Sequence, residues 1–495
     1  MLTDATYVSV CISNNGKMLF SSLEFIFCFL PLCLAVYFLI PKRYGNVVLL
    51  LFSLLFYGLG EPVYLFLMVF TVVADYIFGL LIQKYIDSRK ASRAILVLAI
   101  AFNISILFFF KYYDTLAAAL SKIPLLSFLH PLGISLPIGI SFYTFQSLSY
   151  VIDVYKREAK AAKDPILPAT YVTLFPQLIA GPIIKYNDIE SQLSQRRRSI
   201  EKSAEGLRRF ACGLGKKVLL ANTSGEMWQE FTRTFDPSVT DVSWAWLGII
   251  FYTFQIYFDF SGYSDMAIGL GKIFGFDFPE NFNYPYVSQS ITEFWRRWHI
   301  TLSSWFREYV YIPLGGNRRG KKRTYINLFI VWSLTGIWHG AEVNFWLWGI
   351  YYFIMISLEK AFLSRIIERA PKILRHLYTL ILIMIGWMIF TTDGSASSLT
   401  LSEGLSCLRI MFGISTNPFI SADTKYQLAR NFLLLIILTV SSIPLAKRMI
   451  ERLLTSNKCK AATLCVLNAL SLGCILLCTA FLVNSGYNPF LYFKF

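Results

Sequence analysis

Charged residues are scarce in this sequence. Only 15% of the 495 residues are charged, whereas 55% are hydrophobic and 17% are aromatic. Soluble domains usually contain about 25% charged residues, and the mean hydropathy of this chain is +0.53. No stretch of roughly two hundred residues lacks an apolar run of membrane-spanning length, which excludes a large appended soluble domain. The composition predicts one integral membrane domain over residues 18–495.

Several motifs of soluble enzymes are missing as well. The nine cysteines form no CxxC pair, and neither an HExxH zinc motif nor a G-x-S-x-G nucleophile turn occurs. We therefore expect no disulfide framework, no bound metal or cofactor and no activated serine. The cysteines are better interpreted as small packing residues, since five lie in apolar runs: Cys28, Cys33, Cys465, Cys474 and Cys478.

Long apolar runs recur from end to end of the chain. By the length needed to cross about 30 Å of hydrocarbon, we count about ten or eleven spans. This pattern predicts an all-α polytopic membrane protein. The clearest runs are Leu23–Ile40, Val63–Leu81, Ala94–Phe110, Phe345–Leu358 with its flanks, and Ala461–Val483.

The formal net charge of +16 comes from basic loops between the apolar runs. These residues form no single basic stripe, so a nucleic-acid partner is not expected. Short loops rich in Lys and Arg stay in the cytoplasm, and their alternation places both termini outside. In a bacterium, the chain would then be a multi-pass protein of the cytoplasmic (inner) membrane, in contact with membrane lipid.

Three segments depart from this regular pattern. Asp164–Asp188 is apolar but contains four prolines, which predicts a broken or re-entrant segment buried in protein. Ile200–Asn222 is basic and amphipathic, which favours a cytoplasmic surface helix held by anionic lipid. Residues 1–17 are mostly polar, and we interpret them as an extension or short tail that precedes a working start at Met18.

Two of the four histidines lie in aromatic, apolar surroundings. His299 follows Trp298, and His339 follows Trp338. Ionisable groups at membrane depth are costly and mark candidate functional sites. On a continuous helix, Trp295, His299, Leu302 and Phe306 would share one apolar face. Gly336 and Gly340 flank His339 at a spacing that permits close approach of a neighbouring backbone or a substrate.

A neutral imidazole in such a site can take a proton from an alcohol that attacks an acyl group, and return it to the leaving thiolate. The alternative is that both histidines only form hydrogen bonds between helices. Polar residues nearby could orient the imidazoles or form structural ion pairs: Glu293, Arg296, Arg297, Asp259, Ser261, Tyr263, Ser264 and Asp265.

The block around the two histidines, within residues 290–345, resembles a known family signature. It contains Trp-Arg-Arg-Trp-His-Ile-Thr-Leu-Ser-Ser-Trp-Phe-Arg at 295–307, Tyr-Ile-Pro-Leu-Gly-Gly-Asn at 311–317 and Thr-Gly-Ile-Trp-His-Gly-Ala at 335–341. These motifs are similar to those of the membrane-bound O-acyltransferase (MBOAT) family, and within it to the bacterial alginate O-acetylation branch. Met18–Leu32 and the stretches at 177–182 and 258–265 also resemble that branch.

The resemblance implies a bundle of about eleven transmembrane helices with re-entrant segments and a central tunnel. It implies that His339 is catalytic and that His299 lines the same tunnel. It also implies acetyl-CoA as the donor substrate, a polysaccharide or peptidoglycan acceptor, and a periplasmic SGNH/GDSL-like O-acetyltransferase as partner. We expect the residues that line the tunnel or orient substrates to be Trp295, Arg296, Trp298, Trp338, Asp259, Ser261, Asp265 and Asn317.

The C-terminal tail at 484–495 resembles aromatic Tyr-x-Phe tails of the same branch, although here the sequence reads Tyr-Phe-Lys-Phe from Tyr492. The resemblance implies that the Tyr492 hydroxyl accepts the acyl group, and the basic-loop pattern places this tail outside. The alternative is that Tyr492 is an interfacial aromatic anchor.

Two other functions fit parts of the pattern. One is transfer of D-alanine from a carrier protein to teichoic acid. The other is transport of a polysaccharide precursor, which broken helices and midplane charges would suit, although a transporter gives no reason for two histidines preceded by tryptophan.

Overall fold

The computed structural model describes residues 18–394, 398–456, 459–484 and 487–491. Every regular element in these ranges is helical. The extension predicted for residues 1–17 lies outside them. The described chain divides into two compact units, of which the first covers Met1–Phe210, described from Met18, and Tyr263–Pro279. The second covers Ala211–Gly262 and Glu280–Phe495. A single transmembrane domain over residues 18–495 stays a prediction.

The first unit begins with a π-helical turn at Phe25–Phe29 and contains the helices of the N-terminal third of the chain. Proline at the first position of α3 pre-sets the backbone for helix entry. The helices are α1 (Leu30–Leu39), α2 (Gly45–Gly60), α3 (Pro62–Lys84), α4 (Arg89–Leu120), α5 (Ile140–Lys156), α6 (Ile166–Thr173), α7 (Phe175–Leu178) and α8 (Tyr186–Ser194).

Two helices contribute residues to both units: α9 (Ile200–Gly215) and α11 (Val242–Ile273). A π-helical segment, Lys216–Ala221, joins α9 to α10 (Asn222–Thr234) within the second unit. The prediction of a lipid-held surface helix over 200–222 is wrong at its basic end. The Lys217 side chain is only 3% exposed, because it forms a buried ion pair.

The rest of the second unit carries the histidine block. A π-helical segment lies at Arg307–Tyr311 and another at Glu359–Leu363. The helices are α12 (Ile291–Arg297), α13 (Ile300–Phe306), α14 (Gly320–His339), α15 (Val343–Leu358), α16 (Ser364–Arg369), α17 (Lys372–Phe390), α18 (Leu401–Met411), α19 (Ala422–Ser441), α20 (Leu445–Thr455) and α21 (Lys460–Asn484).

Five helical stretches in the described residues are long and apolar enough to cross a membrane, and the bent pair α19–α20, at 52°, would make a sixth. Large apolar side chains on these helices face outward, with Phe66 77% exposed, as expected for surfaces that contact lipid. Helices therefore occupy the predicted runs at Val63–Leu81, Ala94–Phe110 and Ala461–Val483. The count of about eleven spans stays a prediction.

The proline-rich segment 164–188 is broken, as predicted, and residues 170–184 within it are buried. Helices α6 and α7 are interrupted at Leu174, whose φ of −53° and ψ of 108° are not helical. Tyr171 bridges the irregular backbone, because its hydroxyl donates to the Ile184 carbonyl at 2.7 Å. Buried irregular backbone of this kind is tolerated at membrane depth where protein groups satisfy it.

Candidate functional site

His299 lies at a sharp break between α12 and α13. Its backbone is left-handed, with φ 44° and ψ 53°, a conformation that costs energy for a residue with a Cβ. The loop at 281–283 satisfies the backbone on both sides: the Ile300 N–H donates to the Asn281 carbonyl and the Asn283 N–H donates to the Arg297 carbonyl, each at 2.9 Å. The prediction of one continuous helix through 295–306 is therefore wrong.

Asn281 fixes the protonation pattern of the His299 ring. Its Oδ1 lies 3.1 Å from His299 Nδ1, 2.9 Å from Thr301 Oγ1 and 3.3 Å from Thr301 N. The Thr301 backbone N–H can only donate, so the Asn281 atom that faces it accepts. His299 Nδ1 must then carry the hydrogen, and in the neutral ring Nε2 holds the lone pair. Sequence reasoning missed Asn281, whose only signal was a polar residue in the loop before the motif.

The His299 ring is enclosed by aromatic groups. It is 1% exposed, and the Phe260 ring meets it edge-on at a centroid distance of 4.6 Å. Desolvation of this degree favours the uncharged imidazole. His299 is thus suited to accept a hydrogen bond through Nε2.

His339 is the last residue of α14 and lies in an aromatic box. Its ring centroid is 4.8 Å from that of Trp338, 5.1 Å from those of Trp348 and Phe390, and 6.4 Å from that of Phe345. Three of these four contacts are edge-on, the arrangement that aromatic quadrupoles favour. The residue is 4% exposed, so bulk water has little access to the imidazole.

Trp338 connects the two histidines in space. Its ring centroid lies 6.3 Å from the His299 ring and 4.8 Å from the His339 ring. The fold therefore brings both imidazoles around one indole, although they are far apart in the sequence.

Two glycines let α14 and α15 pack closely beside His339. A Cβ on Gly336 would overlap the carbonyl oxygen of Phe345, and a Cβ on Gly349 would overlap the carbonyl oxygen of Trp332. A Cβ on Gly340 would overlap the Phe345 ring. The close backbone approach expected at Gly336 is confirmed, and its partner is the start of α15.

A cavity of about 710 Å³ opens beside His299. His299 forms part of its wall, together with Thr335, which lies one turn before His339 on α14. His339 itself does not line the cavity. Most of the wall comes from α12, α13, α14 and the segment after α15, and its charged members are Glu293, Arg296, Arg307, Glu359, Lys360, Glu368 and Arg375.

Asn317 joins two polar groups on the cavity wall. Its Oδ1 accepts from the Tyr311 hydroxyl at 2.5 Å and from Lys360 Nζ at 3.0 Å. Partial burial lowers the pKa of Lys360 and raises the pKa of Tyr311. The wall therefore presents a cationic amine that deprotonates more readily than an ordinary surface lysine.

Glu359 is a second residue that the sequence did not reveal. It is 2% exposed, and its carboxylate accepts from the Ile291 N–H at 2.7 Å, the Thr292 N–H at 2.8 Å and the Thr292 hydroxyl at 2.6 Å. A carboxylate at a helix N-terminus satisfies unpaired N–H groups and the positive end of the dipole. Glu359 thus anchors α12, which carries Trp295 and leads directly to His299.

The other predicted site residues occupy different places. Trp295 and Arg296 lie on the cavity wall, whereas Trp298 packs behind it, 4.8 Å from the Trp387 ring. Ser261 is buried, and Asp265 lies in the first unit, where Arg209 donates to it at 2.8 Å.

Three of the acidic residues named from the sequence form ion pairs, as the alternative interpretation predicted. Besides Asp265, Glu293 pairs with Arg297 at 2.9 Å and Asp259 pairs with Lys217 at 2.6 Å. Tyr492 lies outside the described residues.

Residues 106–402 match the model of the membrane-bound O-acyltransferase family. A probable alginate O-acetylase AlgI of Pseudomonas syringae pv. tomato is 44% identical over 380 residues, which cover 76% of this chain and 73% of the relative. A peptidoglycan O-acetyltransferase of Helicobacter pylori is 36% identical over 423 residues, 78% of this chain and 80% of the relative. A teichoic acid D-alanyltransferase of Bacillus subtilis is 27% identical over 238 residues, 46% of this chain and 59% of the relative.

Proposed function

The chain belongs to the membrane-bound O-acyltransferase family and is a multi-pass O-acyltransferase, and we propose that it moves acetyl from acetyl-CoA to a hydroxyl outside the cytoplasm. Two O-acetylating relatives support acetyl as the transferred group, at 44% and 36% identity over about three quarters of the chain. The D-alanyl-transferring relative is matched over only 46% of it.

The observation that carries this proposal is the cavity beside His299. Its volume of about 710 Å³ lies within the range of small-molecule sites, about 300–1,000 Å³. Arg296, Arg307, Lys360 and Arg375 on its wall are cations suited to the phosphates of coenzyme A. Apolar wall residues such as Trp295 and Leu302 suit the pantetheine arm. In the proposal the thioester lies beside His299, near Trp338, whose indole contacts both imidazoles.

In this scheme His339 is the general base. Its imidazole takes the proton from the acceptor hydroxyl as the oxygen bonds to the acetyl carbonyl carbon. When the carbon–sulfur bond breaks, the imidazolium returns that proton to the departing thiolate, so the products are an acetyl ester and coenzyme A. The aromatic box around His339 keeps water from competing as acceptor. His299 positions a reactant through a hydrogen bond accepted at Nε2.

The first acceptor in the proposal is the Tyr492 hydroxyl, and the acetyl group then passes to a periplasmic SGNH/GDSL-like transferase. The final acceptor is a hydroxyl of an exported polysaccharide or of peptidoglycan, the classes that the names of the relatives cite. Tyr492→Phe removes only the hydroxyl, so we expect it to abolish envelope acetylation while protein level stays normal. Undiminished acetylation would leave the tail as an interfacial anchor.

The experiment that tests the overall function uses purified full-length protein in liposomes, supplied in turn with labelled acetyl-CoA and with labelled D-alanine on its carrier protein. We expect coenzyme A release and covalent acetyl label only with the first donor. Label from D-alanine alone would replace the acetyl proposal with D-alanyl transfer. Movement of glycan across the membrane without acetyl turnover would indicate a transporter.

A further inference from the structure

A buried ion pair in the second unit binds the backbone of the C-terminal segment 487–491. Lys217 Nζ lies 2.6 Å from Asp259 Oδ1, and the two side chains are 3% and 2% exposed. Lys217 Nζ also donates to the Pro489 carbonyl, and the Leu491 N–H donates to Asp259 Oδ2 at 2.9 Å. Each charged group therefore contacts the other charge and one peptide group of the tail.

Further contacts extend this binding surface, which we call the tail groove: Lys217, Asn222, Gly225, Gln255 and Asp259. Gln255 Nε2 donates to the Tyr487 hydroxyl at 3.3 Å, and Asn222 Nδ2 donates to Asn488 Oδ1 at 3.2 Å. A Cβ on Gly225 would lie 2.6 Å from the Tyr487 hydroxyl. Phe490, between the two peptide groups bound by the ion pair, is 6% exposed.

The contacts are spaced equally on the helix and on the tail. Gln255 and Asp259 lie one turn apart on the same face of α11, and they bind Tyr487 and Leu491, which are also four residues apart. Gly262, on the next turn, allows close approach of the neighbouring backbone, since a Cβ there would lie 3.0 Å from Lys217 N. That approach brings Lys217 within reach of Asp259.

Electrostatics favour an occupied groove. A buried ion pair contributes little net stability unless hydrogen bonds satisfy its remaining donors and acceptors. Here the Pro489 carbonyl and the Leu491 N–H supply such bonds. If the tail left, a lysine and an aspartate that are almost fully buried would each lose a partner, which is costly at low dielectric.

The groove also connects to the candidate site through α11. Phe260 follows Asp259 and projects about 100° around the helix, where its ring meets the His299 ring at 4.6 Å. One turn of α11 thus binds the tail on one side and packs against the His299 ring on another. Tyr492 is bonded directly to Leu491.

From this geometry we propose that Lys217 and Asp259 are positioning residues that dock the C-terminal segment 487–491, and that docking is required for acyl transfer to the acceptor. The functional half of this inference rests on the proposed function, in which the tail presents the first acceptor. Neither residue touches the donor in this scheme.

The sharpest test changes the tail rather than the groove. Leu491→Pro removes the N–H that Asp259 accepts and leaves the buried ion pair in place, whereas Leu491→Ala keeps that N–H and serves as its matched control. Hydrogen exchange of the C-terminal peptide is measured on full-length protein in nanodiscs. A hydrogen bond to a charged group is stronger than one between neutral groups, so we expect the C-terminal peptide of Leu491→Pro to exchange at least about tenfold faster than that of wild type or Leu491→Ala.

Groove variants provide the complementary test. Asp259→Asn should release the tail, and the double variant Lys217→Met with Asp259→Leu should do so without leaving a buried unpaired charge. Asp265→Asn is the control, since it breaks a different ion pair on the same helix, the one with Arg209, and it should leave the tail protected. Acetyl-CoA affinity should stay within about threefold of wild type in every tail-releasing variant, while transfer to the acceptor is lost.

Two results would overturn the inference: a tail whose exchange is unchanged by Leu491→Pro and by Asp259→Asn, or a released tail with undiminished transfer. Failure of the proposed function looks different. A wild-type protein that ignores acetyl-CoA would still show exchange protection that depends on Asp259, because exchange reports docking without turnover.

Discussion

Asn281→Leu tests whether this amide positions His299. Asn281 Oδ1 accepts hydrogen bonds from His299 Nδ1, Thr301 Oγ1 and Thr301 N, and leucine has the same branched side-chain shape but no acceptor. Each buried donor left without a partner costs about 1–3 kcal/mol, so we expect the three together to lower the free energy of unfolding by at least about 3 kcal/mol. The freed His299 ring should also lower the rate of acyl transfer by about tenfold to a hundredfold, or about 1.4–2.8 kcal/mol.

The assay is a double-mutant cycle on acyl transfer by purified protein. If Asn281 acts through His299, then Asn281→Leu should have no further effect in a His299→Ala background. Thr301→Val is the matched control, because it removes one of the same hydrogen bonds and keeps the bond between Asn281 and His299. It should lower stability by about 1 kcal/mol and change the rate by less than about twofold. Fully multiplicative effects of Asn281→Leu and His299→Ala would refute the positioning role.

Three further predictions concern the elements around the cavity. Gly336→Val should lower the melting temperature and activity together, because the new side chain overlaps the Phe345 carbonyl between α14 and α15; thermal unfolding that matches wild type would contradict this packing. Glu359→Gln should raise KM for the donor, because an amide has one acceptor oxygen in place of the two that hold Ile291 and Thr292. An unchanged KM with normal stability would show that Glu359 does not anchor α12. Burial lowers the pKa of Lys360, so its charge, and with it the affinity for the donor, should decline at a lower pH than for an ordinary lysine. Lys360→Arg stays charged and should remove that decline in equilibrium binding measured up to pH 10. An identical pH profile for the two proteins would exclude Lys360 from donor binding.

The helices of the fold were largely predictable because lipid imposes a simple pattern. Apolar runs such as Val63–Leu81 and Ala461–Val483 correspond to α3 and α21 with small shifts at their ends. The prolines of segment 164–188 correctly indicated a broken, buried stretch, since proline removes a backbone donor and disrupts a helix interior.

The site was less accessible from the sequence because its geometry depends on distant partners. The helix break at His299 exists because Asn281, 18 residues earlier, supplies the side-chain acceptor and a backbone partner. Lys217 looks like a surface residue by local pattern, but it is buried because Asp259 and the Pro489 carbonyl, 272 residues away, surround it. Periodicity reports only on neighbours within a few turns.

The central claim is that His339 is the base of an acetyl-transfer reaction. The most direct measurement compares single-turnover acetyl transfer by wild-type, His339→Ala and His130→Ala proteins in nanodiscs with labelled acetyl-CoA, since His130 is exposed and far from this chemistry in the sequence. We predict that His339→Ala binds acetyl-CoA within about threefold of wild type but transfers acetyl about 10²–10⁴-fold more slowly, the range for loss of a general base, while His130→Ala matches wild type. A correctly folded His339→Ala protein that transfers acetyl at the wild-type rate would contradict the claim.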